Sequence, residues 1–256
     1  MSASLYKPRA LSNTPQALSR SMPPLALLAG GLGTRLGDLA AQIPKALVQV
    51  AGRPFLAHQL DLLASQSIRE IVICCGHMGE AIAEYAGDGR AFGCNIRYSY
   101  DGPELLGTGG AIRKALPLLG LEFWVMYGDT YLTAPFALLL DTFSRERKPA
   151  CMTVLHNENR WDTSNVEFTD GKLLRYSKQR RTPAMRHIDY GLSLFTAEAF
   201  REWTDIHAFD LSHLQEQLAK QGKMAACEVN ERFYEIGTPP ALRETERFLQ
   251  GFEVQA

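Results

Sequence analysis

The chain lacks any apolar stretch that could cross a bilayer, because none of its apolar runs approaches the roughly 20 residues that a membrane helix requires. It also has little excess charge: 27 Lys and Arg stand against 28 Asp and Glu, which gives a net charge of −1. This balance provides no overall basic field for holding nucleic acid. Hydrophobic residues make up 46% of the chain, enough to build a core and to exclude disorder as the dominant state. We therefore expect neither a membrane nor a nucleic acid as partner.

Cysteine and histidine are few and scattered. The five cysteines show no Cys-x-x-Cys spacing, and the six histidines show no metal-ligand spacing. An odd number of cysteines without a pairing pattern is typical of free thiols in a reducing compartment. We therefore predict a cytoplasmic protein without a disulfide framework or a structural zinc site.

Acidic residues are absent from the amino-terminal residues 1–24; the first in the chain is Asp38. This leader holds three basic residues, five Ser and four Pro. Ser- and Arg-rich leaders without acids also serve organelle import, which is the alternative interpretation. Because the prolines interrupt helical periodicity, we expect a flexible leader over residues 1–24, followed by one domain over residues 25–256.

Short apolar runs alternate with helical patterns from residue 25 onward. Residues 25–28, 71–75 and 123–127 suit buried strands, whereas residues 108–119 suit a helix capped by Thr108. Strands separated by helices predict a mostly parallel sheet flanked by helices, the α/β class. Beyond residue 150 strand patterns follow one another, and Asp170-Gly171 is typical of a hairpin turn. We therefore expect inserted antiparallel strands in the second half of one domain.

A glycine-rich loop follows the first apolar run directly: Gly30-Gly31-Leu32-Gly33-Thr34-Arg35. Glycines leave backbone N–H groups free to surround an anion, and such loops lie where open α/β sheets bind ligands. The dinucleotide fingerprint fails because Leu36 stands at its third glycine, and no Gly-Lys-Ser or Gly-Lys-Thr supports a Walker loop. Arg35 and the later Lys45 suit a polyphosphate. The alternative is a turn that uses glycine for geometry alone.

Five elements in order along residues 25–249 resemble the sugar-1-phosphate nucleotidyltransferase family. These enzymes join a nucleoside triphosphate to a sugar 1-phosphate and release pyrophosphate. The elements are Gly30–Leu36 with Pro44-Lys45, Leu106-Gly107-Thr108-Gly109-Gly110-Ala111, Tyr127-Gly128-Asp129, Ile188-Asp189-Tyr190-Gly191, and Phe233-Tyr234-Glu235-Ile236-Gly237-Thr238-Pro239. The resemblance implies a single Rossmann-like nucleotidyltransferase domain that uses Mg²⁺.

The same resemblance assigns a role to each matching residue. The implied catalytic residues are Arg35, Lys45 and Asp129, and the implied Mg²⁺ ligands are Asp129 and Glu235. The implied nucleotide-binding residues are Leu28, Ala29, Gly30, Gly31, Gly33, Thr34, Glu104, Gly107, Thr108 and Gly109. The implied sugar-phosphate-binding residues are Asn165, Lys178, Asp189 and Gly191. One or two carboxylates with phosphate oxygens are what Mg²⁺ prefers.

The chain departs from the family pattern at three places. Glu235 stands where an Asp is usual, which keeps a carboxylate but lengthens it by one methylene. Asp189 replaces the usual Asn, and Ser177-Lys178-Gln179 replaces the common Glu-Lys-Pro. The last two changes fall where the sugar phosphate should lie, so they affect the identity of the sugar rather than the chemistry.

The sequence alone does not decide which nucleotide and which sugar phosphate are the substrates. Glu104 could accept two N–H donors of guanine, or it could be an exposed loop residue. The chain looks most like heptose-1-phosphate guanylyltransferases, so GTP with D-glycero-D-manno-heptose 1-phosphate or mannose 1-phosphate is the leading expectation. Residues 92–120 also resemble uridylyltransferases, which makes UTP with a hexose or N-acetylmuramic acid 1-phosphate the second. A non-catalytic nucleotide-sugar sensor is the alternative from another class, and the oligomeric state, including a homo-oligomer, stays open.

Overall fold

The computed structural model describes residues 22–31, 33, 36, 43–203 and 208–251. The expected flexible leader lies outside these residues except for its last three. Met22 packs against the core, and the carbonyl of Pro24 accepts a hydrogen bond from the N–H of Trp124 at 2.9 Å. The folded domain therefore already includes Met22, three residues before the expected boundary.

Four parallel strands form the first half of the central sheet. They are β1 (Leu25–Leu28), β4 (Glu70–Cys75), β5 (Asn95–Tyr100) and β6 (Glu122–Tyr127), in the spatial order β5-β4-β1-β6. β1 and β4 are almost continuously buried, whereas the edge strand β5 has exposed positions among buried ones. Such burial is typical of a parallel sheet that helices cover on both faces.

Antiparallel strands extend the sheet in the second half of the chain. They are β8 (Ala150–His156), β9 (Val166–Thr169), β10 (Lys172–Tyr176) and β11 (His187–Thr196), joined by β12 (Met224–Val229), which runs parallel to β8. β11 pairs antiparallel with β6 and with β8. Asp170 and Gly171 connect β9 to β10 with φ values of 49° and 74°, as a two-residue hairpin turn requires. The expected α/β class with inserted antiparallel strands is confirmed.

Helices cover both faces of the sheet. The described α-helices are α1 (Phe55–Ser65), α2 (Gly79–Ala86), α3 (Gly107–Leu119), α4 (Phe136–Glu146), α5 (Leu211–Lys220) and α6 (Pro239–Leu249). Leu25 and Leu27 of β1 join the core beneath α1, α2 and α4, whereas Ala26 joins the core beneath α3 and α5. No helix in the described part of the chain is both long and apolar enough to span a membrane.

Shorter elements complete the fold. Among the described residues, 3-10 helices span Lys45–Leu47, Arg90–Phe92 and Ala197–Trp203. Two small ladders pair β2 (Gln49–Val50) with β3 (Arg53–Pro54), and β7 (Thr130–Tyr131) with β13 (Tyr234–Glu235). The second ladder brings the carboxyl-terminal part of the chain beside the end of β6.

The expected capping of α3 by Thr108 is wrong. The helix begins at Gly107 after Leu106, and no side chain caps it. The hydroxyl of Thr108 instead accepts a hydrogen bond from the N–H of Leu211 at 2.8 Å. A partner about a hundred residues away in sequence competes successfully with the local capping geometry, because α5 begins beside α3.

Backbones approach one another closely where the parallel strands end. A Cβ on Gly76, after β4, would lie 2.6 Å from the carbonyl oxygen of Gly30, after β1. A Cβ on Gly128, after β6, would lie 2.6 Å from the carbonyl oxygen of Leu28. Neither contact leaves room for a methyl group, so glycine is what lets the three loops meet.

We predict that Gly128→Ala destabilises the protein by about 1–3 kcal/mol, because the added methyl group overpacks against backbone that cannot rotate away. For a domain of this size, each kcal/mol lowers the melting temperature by roughly 2–4 °C. Gly31→Ala is the matched control, since a Cβ there meets nothing within 4 Å. Equal melting temperatures for the two variants in thermal unfolding would contradict the packing argument.

Candidate active site

A cavity of about 430 Å³ opens at the carboxyl ends of β1, β4 and β6. We call it the first cavity. Its wall contains many of the residues implied for nucleotide binding: Leu28, Ala29, Gly30, Gly31, Gly33, Gly107 and Thr108. Thr34 and Arg35 lie outside the described residues, so their roles stay predictions. The structure therefore brings the glycine loop and the loop before α3 together around one cavity.

Lys45 and Asp129 form an ion pair in the wall of the first cavity. The Nζ of Lys45 lies 2.7 Å from the Oδ2 of Asp129, and the two side chains are 13% and 30% exposed. Lys45 begins a short 3-10 helix, whereas Asp129 follows β6 after Gly128. The pair thus joins two elements that are 84 positions apart in sequence.

Two residues expected to bind the nucleotide base, Glu104 and Gly109, do not line the first cavity. Glu104 is exposed and does not line the first cavity, so the sequence-based role in reading the base finds no support in this position. Gly109 is buried: a Cβ there would collide with the ring of Phe209, and its N–H donates to the Phe209 carbonyl at 2.9 Å. The small size of Gly109 therefore serves the packing of α3 against Phe209, and the residue does not line the cavity.

Asp101 is a carboxylate of the first cavity that sequence reasoning missed. It lies in the wall beside Leu105, and its Oδ2 accepts a hydrogen bond from the N–H of Leu106 at 3.1 Å. Burial raises the pKa of Asp101, although the Leu106 N–H and Lys114 oppose this shift. The available signal is the position of Asp101 immediately after β5, where a parallel strand delivers its next residue to the ligand-binding edge.

A second cavity of about 460 Å³ adjoins the first, and Tyr127 and Asp129 line both. The wall of the second cavity contains all of the residues implied for the sugar phosphate, together with the second implied metal ligand: Asn165, Lys178, Asp189, Gly191 and Glu235. The structure thus assembles these five residues, which span 71 positions of the sequence, around one space.

Asp189 is fixed by its neighbours. Its backbone N–H donates to the Oδ1 of Asn165 at 2.9 Å, and its own Oδ1 accepts from the N–H of Gly191 at 3.0 Å. Burial raises the pKa of Asp189; Lys178 and the Gly191 N–H oppose this shift without cancelling it. The carboxylate that replaces the usual Asn is therefore held in a defined place but is costly to ionise.

Lys178 lies between an acid and an aromatic ring. Its Nζ is 3.7 Å from the Oδ1 of Asp210 and 5.6 Å from the centre of the Tyr127 ring. Burial alone would raise the pKa of Asp210, but Lys178 and the N–H of Ser212 outweigh it and the pKa lies below its ordinary value. A cation in this position suits an anionic group that enters the second cavity near Asp129.

A cluster of arginine and tryptophan side chains lines the second cavity. Its residues belong to no sequence motif, so sequence reasoning did not identify it. The two terminal guanidinium nitrogens of Arg232 donate to the two carboxylate oxygens of Glu244, at 2.8 and 3.0 Å. The guanidinium also lies 3.8 Å from the centre of the Trp161 ring, and Arg160 lies 4.7 Å from the same ring. The cluster joins a loop after β8 to α6, so only the folded chain reveals it.

Asp129 and Glu235 are the carboxylates that fit a divalent metal. Thr130, next to Asp129, pairs with Glu235 across the ladder of β7 and β13, and the Glu235 side chain lies over Gly237. No cluster of three or more His, Cys, Asp or Glu side chains that could hold a metal occurs among the described residues. This donor set suits Mg²⁺, which takes one or two carboxylates and completes its shell with phosphate oxygens and water.

Two adjoining cavities share Asp129 at the carboxyl ends of parallel strands, the edge at which open α/β sheets bind ligands. Residues 26–251 match the nucleotidyl transferase family. The chain is 30% identical to the D-glycero-alpha-D-manno-heptose 1-phosphate guanylyltransferase of Campylobacter jejuni, over 83% of this chain and 94% of that protein. The chain belongs to the nucleotidyl transferase family and is an enzyme of that family, which confirms the expectation from its motifs.

Two further proteins are similar. The N-acetylmuramate alpha-1-phosphate uridylyltransferase of Neisseria meningitidis is 40% identical over 46% of this chain and 52% of that protein. The crystal structure of HddC from Yersinia pseudotuberculosis superposes with a TM-score of 0.76 at 22% identity, over 89% of this chain and 100% of that one. The latter similarity establishes the fold.

The raised pKa of Asp189 leads to a prediction about stability. The folded protein binds the carboxyl proton more tightly than the unfolded chain does, so ionisation at neutral pH costs stability. Asp189→Asn should therefore melt above wild type at pH 7. The gain should disappear below about pH 4, where the unfolded carboxyl is protonated as well.

The measurement is the melting temperature by circular dichroism between pH 3 and pH 8. Asp141→Asn, at an exposed position of α4, is the matched control and should change little at any pH. A lower melting temperature of Asp189→Asn at pH 7 would show instead that Lys178 stabilises the charged carboxylate more than burial disfavours it.

Proposed function

We propose that this enzyme joins a nucleoside triphosphate, held in the first cavity, to a sugar 1-phosphate, held in the second, and releases pyrophosphate. The observation that carries the proposal is the shared border of the two cavities at Asp129, with Lys45 paired to it at 2.7 Å. A cation and a carboxylate at that border suit the point where two phosphate groups must meet.

The reaction forms a bond between a sugar-phosphate oxygen and the α-phosphorus. The bond from the α-phosphorus to the bridging oxygen breaks, and pyrophosphate leaves with that oxygen. The attacking oxygen is already anionic, so no side chain has to remove a proton. The obstacle is the repulsion between two polyanions, and catalysis therefore consists mainly of alignment and charge neutralisation.

The residues of the chain divide this task. The backbone of the glycine loop cradles the triphosphate, Lys45 neutralises charge at the transfer point, and Lys178 holds the sugar phosphate. Arg35 is proposed to neutralise the leaving pyrophosphate. Asp129 and Glu235 would hold Mg²⁺, which when bound withdraws charge from the phosphate oxygens.

The nucleotide is proposed to be GTP, and the sugar D-glycero-D-manno-heptose 1-phosphate or mannose 1-phosphate. The similarity to the Campylobacter jejuni guanylyltransferase extends over most of both chains, which supports this choice. The alternative is UTP with a hexose or N-acetylmuramic acid 1-phosphate, supported by the higher identity to the Neisseria meningitidis uridylyltransferase over about half of this chain.

Pyrophosphate release over a grid of four nucleoside triphosphates and several sugar 1-phosphates tests the proposal directly. We expect release only with Mg²⁺, its loss in EDTA and the greatest kcat/KM with GTP. A greater kcat/KM with UTP would overturn the choice of nucleotide and keep the reaction. No release with any pair, in a protein that binds nucleotide, would favour the non-catalytic sensor.

Lys45→Ala should lower kcat/KM by about 10²–10³, the effect of removing one preorganised group that stabilises charge in the transition state. Lys220→Ala is the matched control, because Lys220 is exposed at the end of α5. The measurement is steady-state pyrophosphate release, with melting temperature as the check on folding. Turnover of a folded Lys45→Ala variant within a few-fold of wild type would refute the role of Lys45.

The base should be read by Asp101 rather than by Glu104, since Asp101 lines the first cavity and Glu104 does not. Asp101→Asn keeps an oxygen for the Leu106 N–H but removes one acceptor for guanine. It should weaken GTP use by roughly 1–3 kcal/mol, and UTP use less, because uracil offers a single N–H on its pairing edge. Glu104→Gln is the comparison, and kcat/KM for both nucleotides is the measurement. A selective loss for GTP in Glu104→Gln alone would restore the sequence-based prediction.

A further inference from the structure

Gln59 is a fully buried polar residue on an otherwise apolar face of α1. Its side chain is 0% exposed, and its helix neighbours Phe55, Leu56, Leu60 and Leu63 are all buried apolar residues. Burying an amide costs free energy unless its polar atoms find partners. Packing alone would favour an apolar side chain here, so the contacts of the amide must account for it.

The amide nitrogen of Gln59 bonds to both sides of Asp129. Its Nε2 donates to the carbonyl of Tyr127 at 3.1 Å and to the carbonyl of Thr130 at 2.8 Å. Only Gly128 and Asp129 lie between these two carbonyls. One side chain therefore fixes the two ends of the short segment that carries the carboxylate shared by both cavities.

Other contacts tie the interior of the same segment. The N–H of Gly128 donates to the carbonyl of Leu28 at 2.9 Å, and the carbonyl of Asp129 accepts from the N–H of Ile236 at 3.0 Å. These bonds come from the sheet and from β13. Gln59 is fully buried and lines neither cavity, so it holds the segment from within the core.

The other half of the amide argues against a purely stabilising role. The Oε1 of Gln59 is buried and has no hydrogen-bond partner among the described residues. An unsatisfied buried acceptor offsets part of what the two bonds from Nε2 contribute to folding. What the amide does provide is a fixed geometry for the Asp129 segment.

We propose that Gln59 is a positioning residue that sets the place of Asp129 for the metal and for Lys45. This inference rests on the proposed function, because it assigns the position of Asp129 a catalytic purpose. Partners that orient a metal-binding group typically affect metal affinity or activity by about 10–100-fold. Gln59 should therefore act on the Mg²⁺ requirement more than on the affinity for the sugar phosphate.

The chain offers a matched control in Gln215. This residue on α5 is 1% exposed, its Oε1 is likewise buried without a partner among the described residues, and its Nε2 donates to the Oγ of Ser193 at 3.5 Å. Gln59→Met and Gln215→Met thus remove the same amide from equally buried positions. They differ in whether that amide holds the segment around Asp129.

The first measurement is the Mg²⁺ dependence of pyrophosphate release. We expect Gln59→Met to raise the Mg²⁺ concentration for half-maximal rate by about tenfold or more and to lower kcat. The KM for the sugar 1-phosphate should stay within about twofold, and Gln215→Met should change none of these values. A merely structural role would lower the melting temperature without moving the Mg²⁺ dependence.

The second measurement does not require turnover. Amide hydrogen exchange over residues 127–131 should speed up by about tenfold in Gln59→Met and not in Gln215→Met, because two carbonyl anchors are lost. Exchange over residues 123–126 of β6 should not change. If Gln59→Met does not fold, Gln59→Asn paired with Gln215→Asn gives the same comparison, since the shorter amide cannot bridge both carbonyls.

Two outcomes would overturn the proposal. One is a folded Gln59→Met variant with wild-type Mg²⁺ dependence and wild-type exchange over residues 127–131. The other is an equal change in both Met variants, which would reflect the loss of any buried amide. A wild-type protein that releases no pyrophosphate would refute the proposed function instead, and the exchange comparison would still decide whether Gln59 holds the Asp129 segment.

Discussion

The close approach of backbones at the ends of the parallel strands is the constraint on which the site depends. β1, β4 and β6 end side by side, and the loops that leave them touch through Gly30, Gly76 and Gly128. Without side chains at these contacts, the loops can approach one another closely, and Gly30 and Gly128 lie in the wall of the first cavity. The ion pair of Lys45 with Asp129 and the meeting of the two cavities both follow from this placement.

Much of this architecture could be predicted because it is encoded locally. The apolar runs of β1, β4 and β6 are dictated by burial on both faces, and the Asp170-Gly171 turn by its backbone geometry. Lys178, Asp189 and Glu235 could be singled out because each lies in a segment that resembles a family element, and the fold places each on a strand or beside one. Their assembly around one cavity then follows from the order of the strands.

What could not be predicted depends on contacts between distant parts of the chain. Glu104 and Asp101 are three positions apart, and the sequence does not show which one lies in the cavity wall. In the fold it is Asp101, whose carboxylate accepts from the N–H of Leu106. The stacking of Arg232 on Trp161 joins residues 71 positions apart that share no motif. Gln59 is likewise hidden, because a lone polar residue in a helical pattern gives no indication of which carbonyls it will bond.

The hydrogen bonds between the loop before α3 and the segment that begins α5 limit which parts of this enzyme can be exchanged with those of a relative. Phe209 donates to the carbonyl of Leu106 and accepts from Gly109, while Leu211 donates to Thr108. The loop before α3 is thus held by residues 209–211, which the chain supplies about a hundred residues later. A chimera that exchanges only the amino-terminal half would carry this loop without the residues 209–211 that hold it in the parent protein. The two segments are therefore interdependent, and exchanging both together preserves the hydrogen bonds between them.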